Sequence, residues 1–367
     1  MDQFHDIRPY NDDEVATVLT NLVNNPDFIE TIIGFRFSAC PKMLRGPLRV
    51  LLRWILRRQV SKIHNVNDFQ RKVAAYMERM IKTTTTEVEY RGIDKLEKGV
   101  GYLFISNHRD IAMDPAFVNY GLYLHGLETV RIAIGDNLLR RPFVSDLMRL
   151  NKSFIVKRSA NGVREMMAAF TQLSHYINHS IINDHSNIWI AQKEGRAKDG
   201  LDKTDIAIIK MFYMSQKKEC SFAEAMQKLN IVPVSISYEY DSCDVAKASE
   251  LYAKSKTGNY EKSEFEDIDS LTQGIVGHKG KVVVTFGDKL TQAFETPEDL
   301  VAEVDRQIIT NYEIHQSNMT AYNMLNAEAE VDATFATRIA KCPKKLETTL
   351  LEMYANPLVQ KKAYDEK

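Results

Sequence analysis

The sequence predicts an α/β fold: a central mixed sheet covered by helices, with a basic amphipathic helical arm at the N-terminal end and a helical extension at the C-terminal end. Three observations predict it. Short β-branched or apolar runs alternate with stretches of helical periodicity through the middle of the chain. No Asp or Glu occurs from residue 31 to residue 67, where arginines recur at every fourth position. From Thr296 onward the apolar spacing is helical to the end. The expected division is 1–82 for the helical region with the arm, 83–290 for the α/β core and 291–367 for the extension.

The arm comes first. Arg36, Lys42, Arg45, Arg49, Arg53, Arg57, Arg58 and Lys62 all fall in the acid-free stretch. Pro47 suits a first helical turn, and beyond it Leu48, Leu51, Leu52, Trp54, Ile55 and Leu56 alternate with the arginines. Such a helix can lie in a lipid headgroup layer, with Arg45, Arg49, Arg53, Arg57 and Arg58 on anionic phosphates and Trp54 at the boundary. The alternative is a surface helix packing its apolar face on the core, but a solvated helix normally mixes both signs of charge.

Residues 73–81 have helical spacing, 83–90 alternate as a strand, Gly99 marks a turn and 102–105 read as a buried strand. His108 then stands at a strand end. Asp114 and Pro115 are expected as the N-cap and first residue of a helix. Strands follow at 131–134 and 153–156, and a helix at 163–182 carries Val163, Met166, Met167, Phe170, Leu173, Ile177 and Ile181 on one face. Further strands are expected at 187–191, 231–238 and 281–286. The charged stretch 247–269 reads as a mobile insertion or as a solvated loop with helical pieces. Thr296 and Pro297 supply a cap and a first-turn proline for the extension.

Composition excludes several classes. With 367 residues, 44% hydrophobic and 26% charged, the chain can bury a large core and is neither disordered nor a multi-span membrane protein. A net charge of −1 gives no global basic field for nucleic acid. Cys40, Cys220, Cys243 and Cys342 are far apart without metal-ligand spacing, which fits a reducing cytoplasmic setting. The first residues lack the basic and apolar regions of a secretory signal, and the uncharged stretch 166–183 is too polar to cross a bilayer.

The chemistry-bearing run is Ser106-Asn107-His108-Arg109-Asp110-Ile111-Ala112-Met113-Asp114-Pro115. A histidine with a nearby acid is a base with its orienting carboxylate, which an alcohol needs before it attacks a thioester. In this reading the substrate's own hydroxyl is the nucleophile and no catalytic serine is required, which the sequence, lacking a GxSxG elbow, does not contradict. Three later blocks follow in order. Asn151-Lys152-Ser153-Phe154-Ile155-Val156-Lys157-Arg158 ends a strand with two cations. Lys193-Glu194-Gly195-Arg196-Ala197-Lys198 is a Gly-relaxed basic turn after a strand. Ile231-Val232-Pro233-Val234-Ser235-Ile236-Ser237-Tyr238-Glu239 is an apolar strand whose proline is most easily housed at an edge or strand start.

These four blocks, in this order across about 100–239, resemble those of the glycerolipid acyltransferases, which acylate glycerol 3-phosphate and lysophosphatidate. The gap from His108 to Asp114 is one residue longer than the family's usual four, Asn151 stands where the family commonly has Gly, and the third block lacks the residue between Gly and Arg. The resemblance implies His108 as general base held by Asp114, with Asp110 the rival acid. It implies a phosphate-binding set of Arg109, Lys157, Arg158, Glu194, Gly195 and Arg196, and an acyl-site strand carrying Pro233. Arg109 and the Tyr238-Glu239 ending look more like the glycerol-3-phosphate branch.

The expected activity is transfer of a fatty acyl group from acyl-CoA or acyl-carrier protein to a hydroxyl of glycerol 3-phosphate or a lysophospholipid, in phospholipid biosynthesis. No metal or bound cofactor is implied. The expected partner is an anionic membrane surface, and the expected location is peripheral on the cytoplasmic, inner face. Alternatives are an acceptor without phosphate such as a lyso-aminolipid, a non-catalytic membrane-surface module of the same fold, and hydrolysis of acyl-CoA by water.

Overall fold

The computed structural model describes residues 3–37, 41–139, 141–159, 162–261, 263, 266–327 and 332–366. Cys40 lies outside them, as does the side chain of Lys42. In chain order the elements are α1 (Asp12–Asn24), α2 (Pro26–Arg36), α3 (Arg45–Val60), α4 (Val66–Thr84), β1 (Thr85–Arg91), β2 (Leu103–Ser106), α5 (Met113–Leu124) and β3 (Arg131–Gly135). Next come α6 (Pro142–Leu150), β4 (Ser153–Val156), α7 (Val163–Ile182), β5 (Ile188–Ala191), α8 (Ile206–Tyr213), α9 (Phe222–Gln227) and β6 (Ile231–Tyr238). The chain ends with α10 (Asp244–Thr257), α11 (Glu266–Val276), β7 (Gly280–Phe286), α12 (Pro297–Thr310), α13 (Gln316–Leu325), α14 (Ala333–Ala340) and α15 (Glu347–Asp365). It forms two compact units, Met1–Tyr76 with Arg131–Ala169, and Met77–Val130 with Phe170–Lys367.

In the first unit Val15, Val18, Leu19 and Leu22 of α1 form a core with Ile63, Val66, Phe143 and Leu150. Strands β3 and β4 pair in parallel. Helix α3 forms where the arm was expected, with Pro47 in its first turn and no fully buried residue. Leu48, Leu52 and Leu56 are half-buried, whereas Leu51, Trp54 and Ile55 are 52%, 59% and 37% exposed, so one apolar row packs and another faces out. The arginine stripe is more engaged than its sequence suggests. Arg49 pairs with Glu30, one residue outside the acid-free stretch, and Arg57 Nη2 donates to Asn24 Oδ1 at 2.7 Å. Arg58 stacks over the Trp54 ring at 5.9 Å. At the start of α7, Val163, Met166 and Met167 are exposed.

The second unit holds five strands in the order β1-β7-β6-β2-β5. The β6–β7 pair is antiparallel and the others are parallel, which makes the sheet mixed. Every residue of β2 and β6 is buried, as expected of continuous apolar runs covered on both faces. Leu103, Phe104 and Ile105 are fully buried, each contributing about 1.5–3 kcal/mol. Pro233 corrects the edge expectation: it sits within the interior strand β6, opposite Ile105 of β2. The antiparallel ladder with β7 begins at the next residue, Val234, so the missing N–H falls just beyond it, and Pro233 O still accepts from Gly287 N at 2.8 Å.

The charged stretch 247–269 is not a loose insertion. It contributes most of α10 and the start of α11, and Lys247, Ala248 and Glu250 are buried. Helices α13 to α15 pack on α10 through Ala248, Ala321, Phe335, Leu350 and Tyr354. Thr296 caps α12 as expected, its hydroxyl accepting from Asp299 N at 3.2 Å. Among the described residues, no helix is long and apolar enough to cross a membrane.

Candidate active site

Strand β2 delivers the site. At its end, Asn107 turns its side chain into β6: Nδ2 donates to Ile236 O at 3.0 Å, and Oδ1 accepts from Ile236 N at 2.8 Å. This amide takes the place of a backbone pairing and frees the chain to turn at His108. There the Nδ1 of His108 lies 2.8 Å from Asp114 Oδ2. The same oxygen accepts the backbone N–H groups of Arg109 at 2.6 Å and Asp110 at 2.9 Å, while Oδ1 accepts from the Tyr238 hydroxyl at 2.6 Å. Asp114 is 0% exposed, so these four donors replace its entire hydration. A carboxylate acceptor at Nδ1 places the imidazole proton there and leaves Nε2 with a lone pair. His108 remains 14% exposed, and Trp189 meets its ring edge-on at 5.7 Å between centroids.

The two rival acids have separate tasks. Asp110 Oδ1 accepts from Ala112 N at 3.0 Å and Met113 N at 2.9 Å, capping the first turn of α5. Helix α5 therefore begins at Met113, and the expectation of Asp114 as N-cap and Pro115 as first helical residue is corrected by two positions. The extra residue between His108 and Asp114 is accommodated in this turn, with Ala112 N and Met113 N on Asp110 and Asp114 turned inward. Burial raises the Asp110 carboxyl, the charge of Asp114 adds to the rise, and the two backbone bonds oppose it. Gly274 of α11 backs onto this acid, since a Cβ there would lie 2.3 Å from Asp110 Oδ2.

Arg109 does not face outward as a phosphate ligand should. It is buried, its Nη2 donates to Asp202 Oδ2 at 2.6 Å and Gly200 O at 3.1 Å, and its guanidinium stacks on Tyr312 at 5.4 Å. Asn107 reaches the same Asp202 oxygen at 3.2 Å. Lys247, buried on α10, donates to Arg109 O at 2.6 Å and pairs with Asp241. That pairing overcomes burial and holds the Asp241 carboxyl below the ordinary carboxylate range. The turn is thus fixed from both sides by charges that sequence reading placed elsewhere.

The third block lies against this turn. Ala197 N donates to His108 O at 2.8 Å, and Gly195 has φ of +76°, the left-handed backbone that only a relaxed residue supplies easily. Glu194 and Gly195 are exposed. Arg196 is half-buried, makes no side-chain hydrogen bond among the described residues and adds its charge to the field that keeps Asp241 ionised, while Lys198 pairs with Glu250. Helix α15 grips the same loop. Gln360 accepts from Asp202 N at 2.9 Å and donates to Asp202 O at 2.6 Å, and Asn356 Nδ2 donates to Asp199 O at 2.7 Å.

Lys157 and Arg158 belong to the first unit. Lys157 is paired with Asp6, and the Arg158 backbone N–H donates to Asp136 Oδ1 at 3.2 Å. Within the second unit the structure brings together His108, Asp114, Arg196 and the β6 strand of Pro233. Sequence reasoning missed Asp202, Asp241 and Lys247, and gave Tyr238 no role at the histidine. The one available signal was the Tyr-Glu ending of β6, at the strand end that neighbours the end of β2.

An acyltransferase family model matches residues 87–237, from β1 to the penultimate residue of β6. Among solved structures, the 1-acyl-sn-glycerophosphate acyltransferase PlsC of Thermotoga maritima is 17% identical. The match covers 80% of this chain and 92% of that one with a TM-score of 0.38, too distant to carry over substrate or residue roles. Comparison with curated proteins finds no match.

Proposed function

Residues 87–237 of this chain belong to the acyltransferase family, and on that premise we propose that the protein transfers a fatty acyl group from a thioester carrier, acyl-CoA or acyl-carrier protein, to a hydroxyl of glycerol 3-phosphate or a lysophospholipid. The observation that carries the proposal is the His108–Asp114 pair at 2.8 Å, with Nδ1 held and Nε2 without a hydrogen bond among the described residues. Nε2 takes the proton of the acceptor hydroxyl as its oxygen attacks the thioester carbonyl carbon. The tetrahedral intermediate collapses, the C–S bond breaks, and the proton passes from Nε2 to the departing thiolate. The products are an ester and a free thiol, with His108 neutral again. Asp114 stabilises the transient imidazolium without taking its proton.

Arg196 anchors the acceptor phosphate, because its guanidinium makes no hydrogen bond among the described residues and its loop touches His108 through Ala197 N. Arg109, buried against Asp202, is assigned to the architecture of the turn instead. No bound cofactor is needed. Helix α3 gives the chain a foothold on an anionic membrane surface through exposed Leu51, Trp54, Ile55 and Arg58.

The test is release of free thiol from palmitoyl-CoA, or from palmitoyl-carrier protein, by purified protein with anionic vesicles. Glycerol 3-phosphate, lysophosphatidate, a lyso-aminolipid or no acceptor is added in turn. Release that depends on a phosphorylated acceptor supports the proposal. Release without acceptor would make the chain a thioesterase, dependence on the aminolipid alone would exclude the phosphate assignment, and no release with any pair would reduce it to a membrane-surface module.

A further inference from the structure

We propose that Tyr238 is a positioning residue for acyl transfer: by bonding the second oxygen of Asp114, its hydroxyl fixes that carboxylate and keeps the travelling proton on His108. This rests on the reading of His108 as the base. Three N–H donors converge on Asp114 Oδ2, and all three come from residues 108–110. Among the described residues Oδ1 has one donor, Tyr238, which reaches it from β6 across 124 residues of sequence at 2.6 Å. Asp114 is fully buried, so losing that bond leaves the oxygen shut off from bulk solvent.

The chemistry needs such a donor. Once His108 holds the acceptor's proton, two sites compete for a proton, the imidazole and the Asp114 carboxylate. Transfer of the Nδ1 proton to Asp114 would leave a neutral imidazole, a weaker acid toward the departing thiolate. Each hydrogen bond donated to the carboxylate spreads its charge and lowers its basicity, so the imidazole keeps the proton at Nδ1 and returns the other from Nε2 to sulfur.

The tyrosine is suited to this by its setting. It closes a strand buried at every position, and Phe117 of α5 meets its ring edge-on at 5.9 Å, which fixes the direction of the hydroxyl. Burial, with the charges of Asp114 and Asp110, raises the phenol well above its ordinary pKa, so the group stays a donor throughout the working range. A short O–H to carboxylate bond of this kind is charge-assisted.

The test is steady-state acyl transfer by Tyr238→Phe, which removes the hydroxyl and keeps the ring. The expected result is a fall in kcat of about 10- to 100-fold with both KM values nearly unchanged. The acid limb of the pH–rate profile moves to higher pH, because a less stabilised carboxylate binds the imidazolium more tightly. On an Asp114→Asn background the same change costs less than about 2-fold, since the carboxylate charge that the hydroxyl stabilises is gone. Tyr238→3-fluorotyrosine, a stronger donor of nearly the same shape, moves the limb the opposite way and provides the measurement if the phenylalanine variant does not fold. An unmoved limb, or an equal loss on both backgrounds, overturns the proposal and leaves the hydroxyl a packing group. Wild-type protein that turns over no better than His108→Ala instead removes the underlying reading, and the proposal with it.

Discussion

Replacing Asp114 and Asp110 separately by Asn separates two acids that stand four residues apart in sequence and perform different tasks. In Asp114→Asn the side-chain carbonyl can keep the Oδ2 position, accepting from His108 Nδ1 and from the amides of Arg109 and Asp110. The new NH₂ then faces Tyr238, whose hydroxyl rotates to accept. The fold and the imidazole tautomer survive, and what is lost is the negative charge beside the imidazolium. Two charges about 4 Å apart in an effective dielectric of about 20 interact by about 4 kcal/mol, which corresponds to a loss of roughly 10³-fold in kcat. In Asp110→Asn the carbonyl still caps Ala112 and Met113, so the cost is at most about 1 kcal/mol of stability, with kcat changed only a few-fold. The assay is thiol release from palmitoyl-CoA at saturating acceptor, with thermal unfolding of each variant alongside. Equal mild losses, or the larger loss in Asp110→Asn, would refute the assignment of Asp114 to the histidine.

Three further outcomes are expected. Arg196→Gln should raise KM for a phosphorylated acceptor by about 10-fold or more while leaving KM for the thioester unchanged, as loss of a charge-assisted bond predicts; equal KM values would remove Arg196 from the acceptor site. Changing Leu51, Trp54 and Ile55 together to Ser should weaken sedimentation with anionic vesicles without lowering the unfolding temperature much, because these residues are exposed. Unchanged sedimentation would discard α3 as the membrane contact. His315 is buried with its Nε2 3.1 Å from Ser237 Oγ, and burial, against the pull of Glu239 and Glu313, lowers its pKa from 6.5 to about 4. The unfolded chain therefore takes up this proton first. Stability is complete above about pH 6.5 and falls as pH drops toward 4, by up to about 3 kcal/mol, and His315→Asn should flatten that decline in urea titrations. Parallel declines in the two proteins would contradict it.

The sheet was legible because its strands are short apolar runs, or in β1 a β-branched alternation, and β4, α7 and β6 fall at the residues expected of them. Helix caps with local signals, such as Thr296 before Pro297, were equally legible. What failed was non-local. Arg109 reads as a free cation beside the histidine until Asp202, 93 residues away, is folded against it. Lys247 lies in a stretch whose charge suggested solvent, yet its ammonium is buried against Arg109 O, because an apolar face at Ala248 carries the helix into the core. Glu30 escaped notice as the partner of Arg49 by standing just outside the acid-free window. The Asp110 and Asp114 assignment turned on which acid caps α5, and spacing alone leaves that open when a turn has one residue more than the usual pattern.

The central claim is tested most directly by following a labelled palmitoyl group from palmitoyl-CoA into product, with wild-type protein and His108→Ala compared at equal concentration on a phosphorylated acceptor. The account predicts labelled ester from the wild type, with a rate about 10²–10⁴-fold lower in a folded His108→Ala protein. Equal rates of ester formation in the two proteins would contradict it.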